Sequence, residues 1–233
     1  MRSIDFIDLG LSEYGKTWER QELLMGEIIG QKLFNQKQRE PEMIKTRGYL
    51  LFVEHPPVYT LGKSGEEQNL FLNSTQLAEK HVSFYKTNRG GDITFHGPGQ
   101  LVGYPIIDLE NFEMGLRQYI YSLEETIILA LAQYGITSSR DPEATGVWLE
   151  SGLPSARKIC AIGVKSSRYV TMHGFALNIN TDLDYFRYIN PCGFIDRGVT
   201  SMEKELGSKV NFEEVKKTVL SCFLSVFDAK VNI

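Results

Sequence analysis

The twelve residues from Arg89 to Gln100, RGGDITFHGPGQ, limit what this chain can fold into more than any other stretch. Its glycines stand in two clusters, and glycine admits positive φ and lets a second backbone or a ligand approach closely. Pro98, between Gly97 and Gly99, fixes one φ where both neighbours are free. Between the clusters, Asp92, Ile93, Thr94 and Phe95 read as a short strand. The stretch is therefore expected to be a loop, a strand and a second loop, with polar side chains held at both ends. A tight turn that needs glycine for geometry alone would account for one Gly-Gly pair. Two clusters bracketing a charged residue and an imidazole favour a binding surface. A phosphate loop is excluded because no Gly-Lys-Ser/Thr follows. A dinucleotide fingerprint is excluded because no Gly-x-Gly-x-x-Gly turn opens a helix here.

Hydrophobic periodicity supplies the frame around this stretch. Ile4 to Leu9 reads as a first strand and Thr17 to Gln36 as an amphipathic helix. The polar run Asn35 to Lys45, holding Pro41, reads as a surface connection. Tyr49 to Val53 is an apolar run of buried-strand type, followed by His55-Pro56-Pro57 and Val58 to Gly62. His55 at that strand end is either functional or a turn cap. Val82 to Tyr85 and Leu101 to Leu109 are further strands, and Pro105 in the second predicts an edge position or a bulge. Met114 to Tyr134 is a long helix with Gly135 as its stop. Gly146 to Leu149 is a strand and Glu150 to Arg157 a hairpin loop. Lys158 to Ser166 and Tyr169 to Ile179 form an antiparallel pair, and Asp184 to Tyr188 is a helical turn. Asn211 to Ala229 is a closing helix with a capping-box-like start at Asn211 and Glu214. Clustered strands with interspersed helices and antiparallel pairings predict an α+β fold, a mixed sheet flanked by helices, in a single domain spanning 1–233.

The 25 basic and 29 acidic side chains leave a net charge of −4, which argues against non-specific nucleic-acid binding. The N-terminus lacks the apolar core of a secretory signal, and no apolar run reaches membrane-spanning length. Cys160, Cys192 and Cys222 are odd in number and widely spaced, so neither a disulfide framework nor a Cys-x-x-Cys metal pattern is present. A reducing cytoplasm, with no nucleic-acid or membrane partner and no metal, fits that usage. The oligomeric state is open, with a monomer as the working expectation.

The cysteines differ in setting. Cys222 falls on the apolar stripe of the last helix and reads as core. Cys160 stands in KICAIG, where strict alternation puts it on one face with Lys158 and Ile162. Cys192 stands in a loop between Pro191 and Gly193, a setting that suits a reactive group, and leads as a nucleophile. Such a thiol needs a partner that favours its thiolate. His96 and His173, each preceding a glycine, are candidates; His81, in a polar stretch, reads as exposed. Lys158 is another candidate, although taken alone an edge lysine in water is the simpler reading.

Taken together, these residues resemble the lipoyl/octanoyl transferases. The matching pieces are Tyr14-x-x-x-Trp18-x-x-Gln21, Glu54-His55, RGGDITFHGPGQ, Gly146-Val147-Trp148, KICAIGVK, HGFALNINTDL, and Phe186 followed by INPCG. The resemblance implies an acyltransferase that moves an octanoyl or lipoyl group from acyl carrier protein to a lysine of lipoyl domains, those of 2-oxoacid dehydrogenases and the glycine cleavage H protein. It implies Cys192 as the acyl-thioester nucleophile and Lys158, 34 residues earlier, as its partner. It implies a substrate site lined by Arg89, Gly90, Gly91, Asp92, Ile93, Thr94, Phe95 and His96, with Ala161, Ile162 and Gly163, and with Gly174, Phe175 and Ala176. It also implies the fold of the lipoate and biotin protein ligases. Because the donor is already a thioester, neither ATP nor a metal is expected. Backbone N–H groups near Gly163 or Gly174 are expected at the oxyanion, and Lys158 and Cys192 are expected to face each other across the cleft mouth. The rival readings are an ATP-dependent lipoate ligase, a lipoyl-domain amidotransferase of the same fold, and a non-catalytic binder of acyl carrier protein. A ligase needs no Cys192, and a binder needs no Lys–Cys pair.

Overall fold

The computed structural model describes residues 2–37, 46–190 and 198–232. Pro191, Cys192 and Gly193 and residues 38–45 of the expected polar connection lie outside the described residues. In chain order the elements are β1 (Arg2–Leu11), α1 (Tyr14–Asn35), β2 (Gly48–Glu54), β3 (Val58–Leu61), α2 (Ser74–Glu79), β4 (Ser83–Lys86), β5 (Ile93–His96), β6 (Gln100–Ile106) and α3 (Leu116–Ala132). There follow β7 (Ser139–Arg140), β8 (Val147–Leu149), β9 (Arg157–Ser167), β10 (Val170–Asn178), β11 (Gly198–Val199), α4 (Met202–Leu206), α5 (Phe212–Val226) and β12 (Ala229–Val231).

One large mixed sheet runs in the order β12-β1-β2-β6-β10-β9-β8-β7, with β11 added beside β9. β1 lies parallel to β12 and β2, and β6, β10, β9 and β8 continue antiparallel. Both faces of its central strands are covered, which is why β2 reads as a continuous apolar run. On one face α3 and α5 bury Leu123, Ile127, Val219 and Phe223 against Leu50, Leu101, Phe175 and Leu177. On the other, α1 buries Leu24, Met25 and Ile28 against Leu51, Val102 and Met172. A three-stranded sheet, β4-β3-β5, holds a separate small core around Tyr59, Phe95 and Ile189.

Three expectations need correction. Pro105 is on no edge, since β6 lies between β2 and β10. The β6–β10 ladder stops at Gly103↔Phe175, and the Pro105 carbonyl accepts from the Thr171 hydroxyl at 2.9 Å. The residue without an N–H thus sits two residues past the end of that ladder, and on its other side it pairs with Leu50 of β2 in unbroken register, so neither the expected edge nor the expected bulge is found. Cys160 does not share a face with Lys158. β8 pairs Val147 with Cys160 but Trp148 with Lys158, so Ile159 is an extra residue and the bulge reverses the alternation. Finally, the closing helix ends at Val226, and after Asp228 at φ +47° the chain forms β12 beside β1. Three residues are too few to show strand periodicity in a sequence.

Candidate active site

A cavity of 270 Å³ opens between the large sheet, on its α1 side, and the small sheet. Alternation along β5 decides what the organising stretch contributes. Phe95 turns into the small core and stacks on Tyr185, with ring centroids 4.4 Å apart and planes within 5°. Thr94 and His96 face the cavity, whose wall also includes Arg89, Gly91, Asp92 and Ile93. Opposite them stand Ala161, Ile162 and Gly163 of β9 and Gly174, Phe175 and Ala176 of β10. The structure therefore brings together all the residues expected to line the site except Gly90 and Phe95. Gly90 instead ties the loop to the sheet, donating its N–H to the Val164 carbonyl at 2.9 Å. Beneath that crossing a side chain at Gly163 has no room: a Cβ would stand 2.8 Å from the Gly90 oxygen.

The Arg89 end of the cavity is polar and its side chains are buried. The Arg89 guanidinium donates to the Thr60 carbonyl at 2.6 Å, to its hydroxyl at 2.9 Å and to the Gly90 carbonyl at 3.0 Å. His96 Nδ1 pairs with Gln100 Oε1 at 2.8 Å, and Gln100 Nε2 donates to Asn178 Oδ1 at 2.9 Å. Tyr14 lies on the His96 ring, with planes 12° apart. Burial pushes the Tyr14 hydroxyl up to about 12, so it stays protonated. His55 is buried, its ring nitrogens paired with the Ser12 carbonyl at 2.7 Å and the Tyr104 hydroxyl at 2.9 Å, and it stands behind the cavity wall rather than on it. Burial lowers it to about 4, burial and then Arg89 lower His173 to about 3, and burial puts His96 well below its ordinary value.

Between their lowered values and the ordinary one near 6.5, these imidazoles stay neutral in the folded protein and charge on unfolding. Folding stability then falls as pH drops below the unfolded value near 6.5, and for His55 the loss continues to about 4. Each such histidine contributes a slope of about 1.4 kcal/mol per pH unit. The melting temperature is expected to fall steadily from pH 6.5, before the carboxylates begin to protonate. A flat melting temperature down to pH 5 would contradict this assignment.

Lys158 occupies a different part of the cavity. The bulge turns it to the cavity face, where its Nζ lies 4.7 Å from the centroid of the Trp148 ring. His173 pairs with Val164, six residues along β9, which corresponds to roughly 20 Å of strand. Gly163 and Gly174 are cross-strand partners five residues along, roughly 16 Å away, so the expected oxyanion donors stand apart from the Lys158 backbone. Cys160 and Cys222 both face the core, and burial pushes both thiols up, so neither reads as a nucleophile. Cys192 lies outside the described residues. On its two sides Phe186 and Gly198 line the cavity, Asn190 N–H donates to the Asn69 carbonyl at 2.9 Å, and Val199 pairs with Lys158.

The sequence reading missed several wall residues: Tyr104, Asn178, Glu143 and Phe186, together with Tyr14 and Trp148 as lining groups. Tyr14, Trp148, Asn178 and Phe186 stood in motifs without a role attached. Nothing in the sequence marks Glu143. Among the described residues no three His, Cys, Asp or Glu side chains are grouped as a metal would require, and no helix is long and apolar enough to cross a membrane.

Residues 25–224 match the family model of the lipoyl protein ligase A/B catalytic domain. The chain is 52% identical to an octanoyltransferase of Christiangramia forsetii, over 99% of this chain and 98% of that protein. It is 55% identical to one of Flavobacterium psychrophilum, over 99% of both. Among solved structures it is similar to an archaeal bipartite lipoate protein ligase, solved with its E2 lipoyl domain, from Thermoplasma acidophilum. The TM-score is 0.71 at 14% identity, over 100% of this chain and 86% of that one, which speaks for the fold alone.

Proposed function

The chain belongs to the lipoyl protein ligase A/B catalytic-domain family and, within it, to the octanoyltransferases, and we propose that it carries octanoyl from acyl carrier protein to a lysine of lipoyl domains through a thioester on Cys192. This would be the first step of lipoate biosynthesis on proteins, performed by residues 1–233 as one catalytic domain. The observation that carries the reading is the identity of more than half the residues with octanoyltransferases along nearly the whole chain. The cavity supports it, with a lysine on its wall and small residues along its floor.

The chemistry balances without a cofactor. The Cys192 thiolate attacks the donor thioester carbonyl, and the tetrahedral intermediate expels the pantetheine thiolate, which takes a proton from the Lys158 ammonium. Neutral Lys158 then accepts the proton of the incoming amine as it attacks the Cys192 thioester, and the Cys192 thiolate leaves. Exchange between thioesters is close to thermoneutral and amide formation is downhill, so no ATP is consumed.

Transfer of octanoyl from octanoyl-acyl carrier protein to a lipoyl domain, followed by intact mass, should therefore proceed at the same rate with and without ATP. A strict ATP requirement with that donor would place the chain among the ligases instead.

A further inference from the structure

Lys158 is seated on this chain in a way that the dyad alone does not require. Its cross-strand partner is Trp148, and the bulge at Ile159 turns Lys158 to the cavity face that Trp148 also lines. The Trp148 ring is fixed from behind, because Nε1–H donates to the Ala144 carbonyl at 2.8 Å. The lysine stem is confined on its other side by Gly146, at φ +126°. A Cβ there would stand 2.6 Å from the Cys160 oxygen and 3.4 Å from Lys158 Cε. The butyl stem thus passes Gly146 and delivers its Nζ to the indole, 4.7 Å from the ring centroid. The face of an indole attracts a cation through the ring quadrupole and attracts a neutral amine far less.

We propose that Trp148 is a positioning residue for the Lys158 ammonium, and that its indole face stabilises the charged lysine in the lysine–thiolate pair. The inference rests on Lys158 serving Cys192 as described above. Other charged groups surround the lysine. Glu124 of α3 accepts the Gly146 N–H at 3.0 Å and pairs with Arg140 at 3.3 Å. Glu143 lines the same cavity, and the buried Cys160 thiol stands two residues along β9. On the far side of Lys158, Arg157 pairs with Glu150 and Glu205. Fluorination of Trp148 leaves these groups and the shape of the ring in place, so a stepwise change in titration reports the indole face.

The test is the pH dependence of iodoacetamide labelling at Cys192, read by peptide mass. Trp148→Leu should raise the apparent thiol pKa by about one pH unit, and Trp148→Phe, which keeps an aromatic face, by less. Fluorinated tryptophans, incorporated in a Trp18→Phe background, keep the ring shape and weaken its quadrupole. They should raise the thiol pKa stepwise with each added fluorine, which covers the case in which Trp148→Leu does not fold. Lys158→Met is the control. If it leaves the labelling profile unchanged, the lysine–cysteine pairing itself is wrong. If it shifts the profile while fluorination and Trp148→Phe do not, the pairing stands and the role of the indole is overturned.

Discussion

Cys192→Ala is expected to abolish the octanoyl adduct on the protein and to lower octanoyl transfer by roughly 10³-fold or more, as for loss of an enzyme nucleophile. The expectation rests on the PCG motif and the family resemblance, and the burial of the other cysteines agrees with it. The chain has three cysteines. Cys160 sits fully buried among the residues that α3 and α5 cover, and Cys222 lies on the buried stripe of α5, where it accepts from Gln133 Nε2 at 3.3 Å. Burial raises both thiols, so both are held protonated and unreactive near neutral pH. Incubation with octanoyl-acyl carrier protein should give the wild-type chain a mass increase that hydroxylamine reverses. Cys160→Ala and Cys222→Ala should keep it, provided each still folds. An adduct that survives in Cys192→Ala, or full transfer activity in that variant, would defeat the covalent route and leave direct attack of the lipoyl-domain lysine on the donor thioester.

The sequence carried the architecture wherever burial is periodic. β2, α3, the β9–β10 hairpin and the stripe of α5 all follow from apolar spacing, and Gly135 ends its helix at φ +73° as expected of a left-handed stop. The misreading at Lys158 has a plain cause: it depends on one residue of register, and pattern reasoning assumes unbroken register. The extra residue at Ile159 moves Lys158 away from the Cys160 face. At His173 φ is +58°, and the ring lines the cavity and meets Trp18 and Asn88. Such positive φ at a non-glycine residue is costly and concentrates at functional sites. The site was legible in its segments and less so in its side chains. Phe95 was counted as a wall because its neighbours are, although alternation along a four-residue strand sends it to the opposite core. Tyr104 lies on an interior strand whose apolar run hides it, and Asn178 stood in HGFALNINTDL with no role attached. They became part of the site only when β6 and β10 were brought side by side.

Removing the charge at position 158 is expected to have the second large effect. Lys158→Met keeps the length of the stem beside Gly146 and against Trp148 and removes the ammonium. An ammonium close to a thiol favours its thiolate, so the apparent pKa of Cys192, followed by the pH dependence of alkylation, should rise by about one to three units. At neutral pH the thiolate fraction then falls, and the step that returns a proton to pantetheine loses its donor. Both half-reactions should slow, by about 10²- to 10⁴-fold, the usual range for a general acid–base group. Lys158→Arg should restore part of the thiolate stabilisation but little of the turnover, because a guanidinium does not give up its proton in a protein. The two variants therefore separate electrostatics from proton transfer: Met should fail in both assays, and Arg only in transfer. Full turnover by Lys158→Arg would remove proton transfer from the role of residue 158. The cavity histidines lie apart from Lys158 along the cavity wall. His173 stands six residues away along β9, and His96 packs with Tyr14 at the Arg89 end. Burial holds both imidazoles neutral and weakly basic, so they are poor acceptors for the proton of a thiol or an amine.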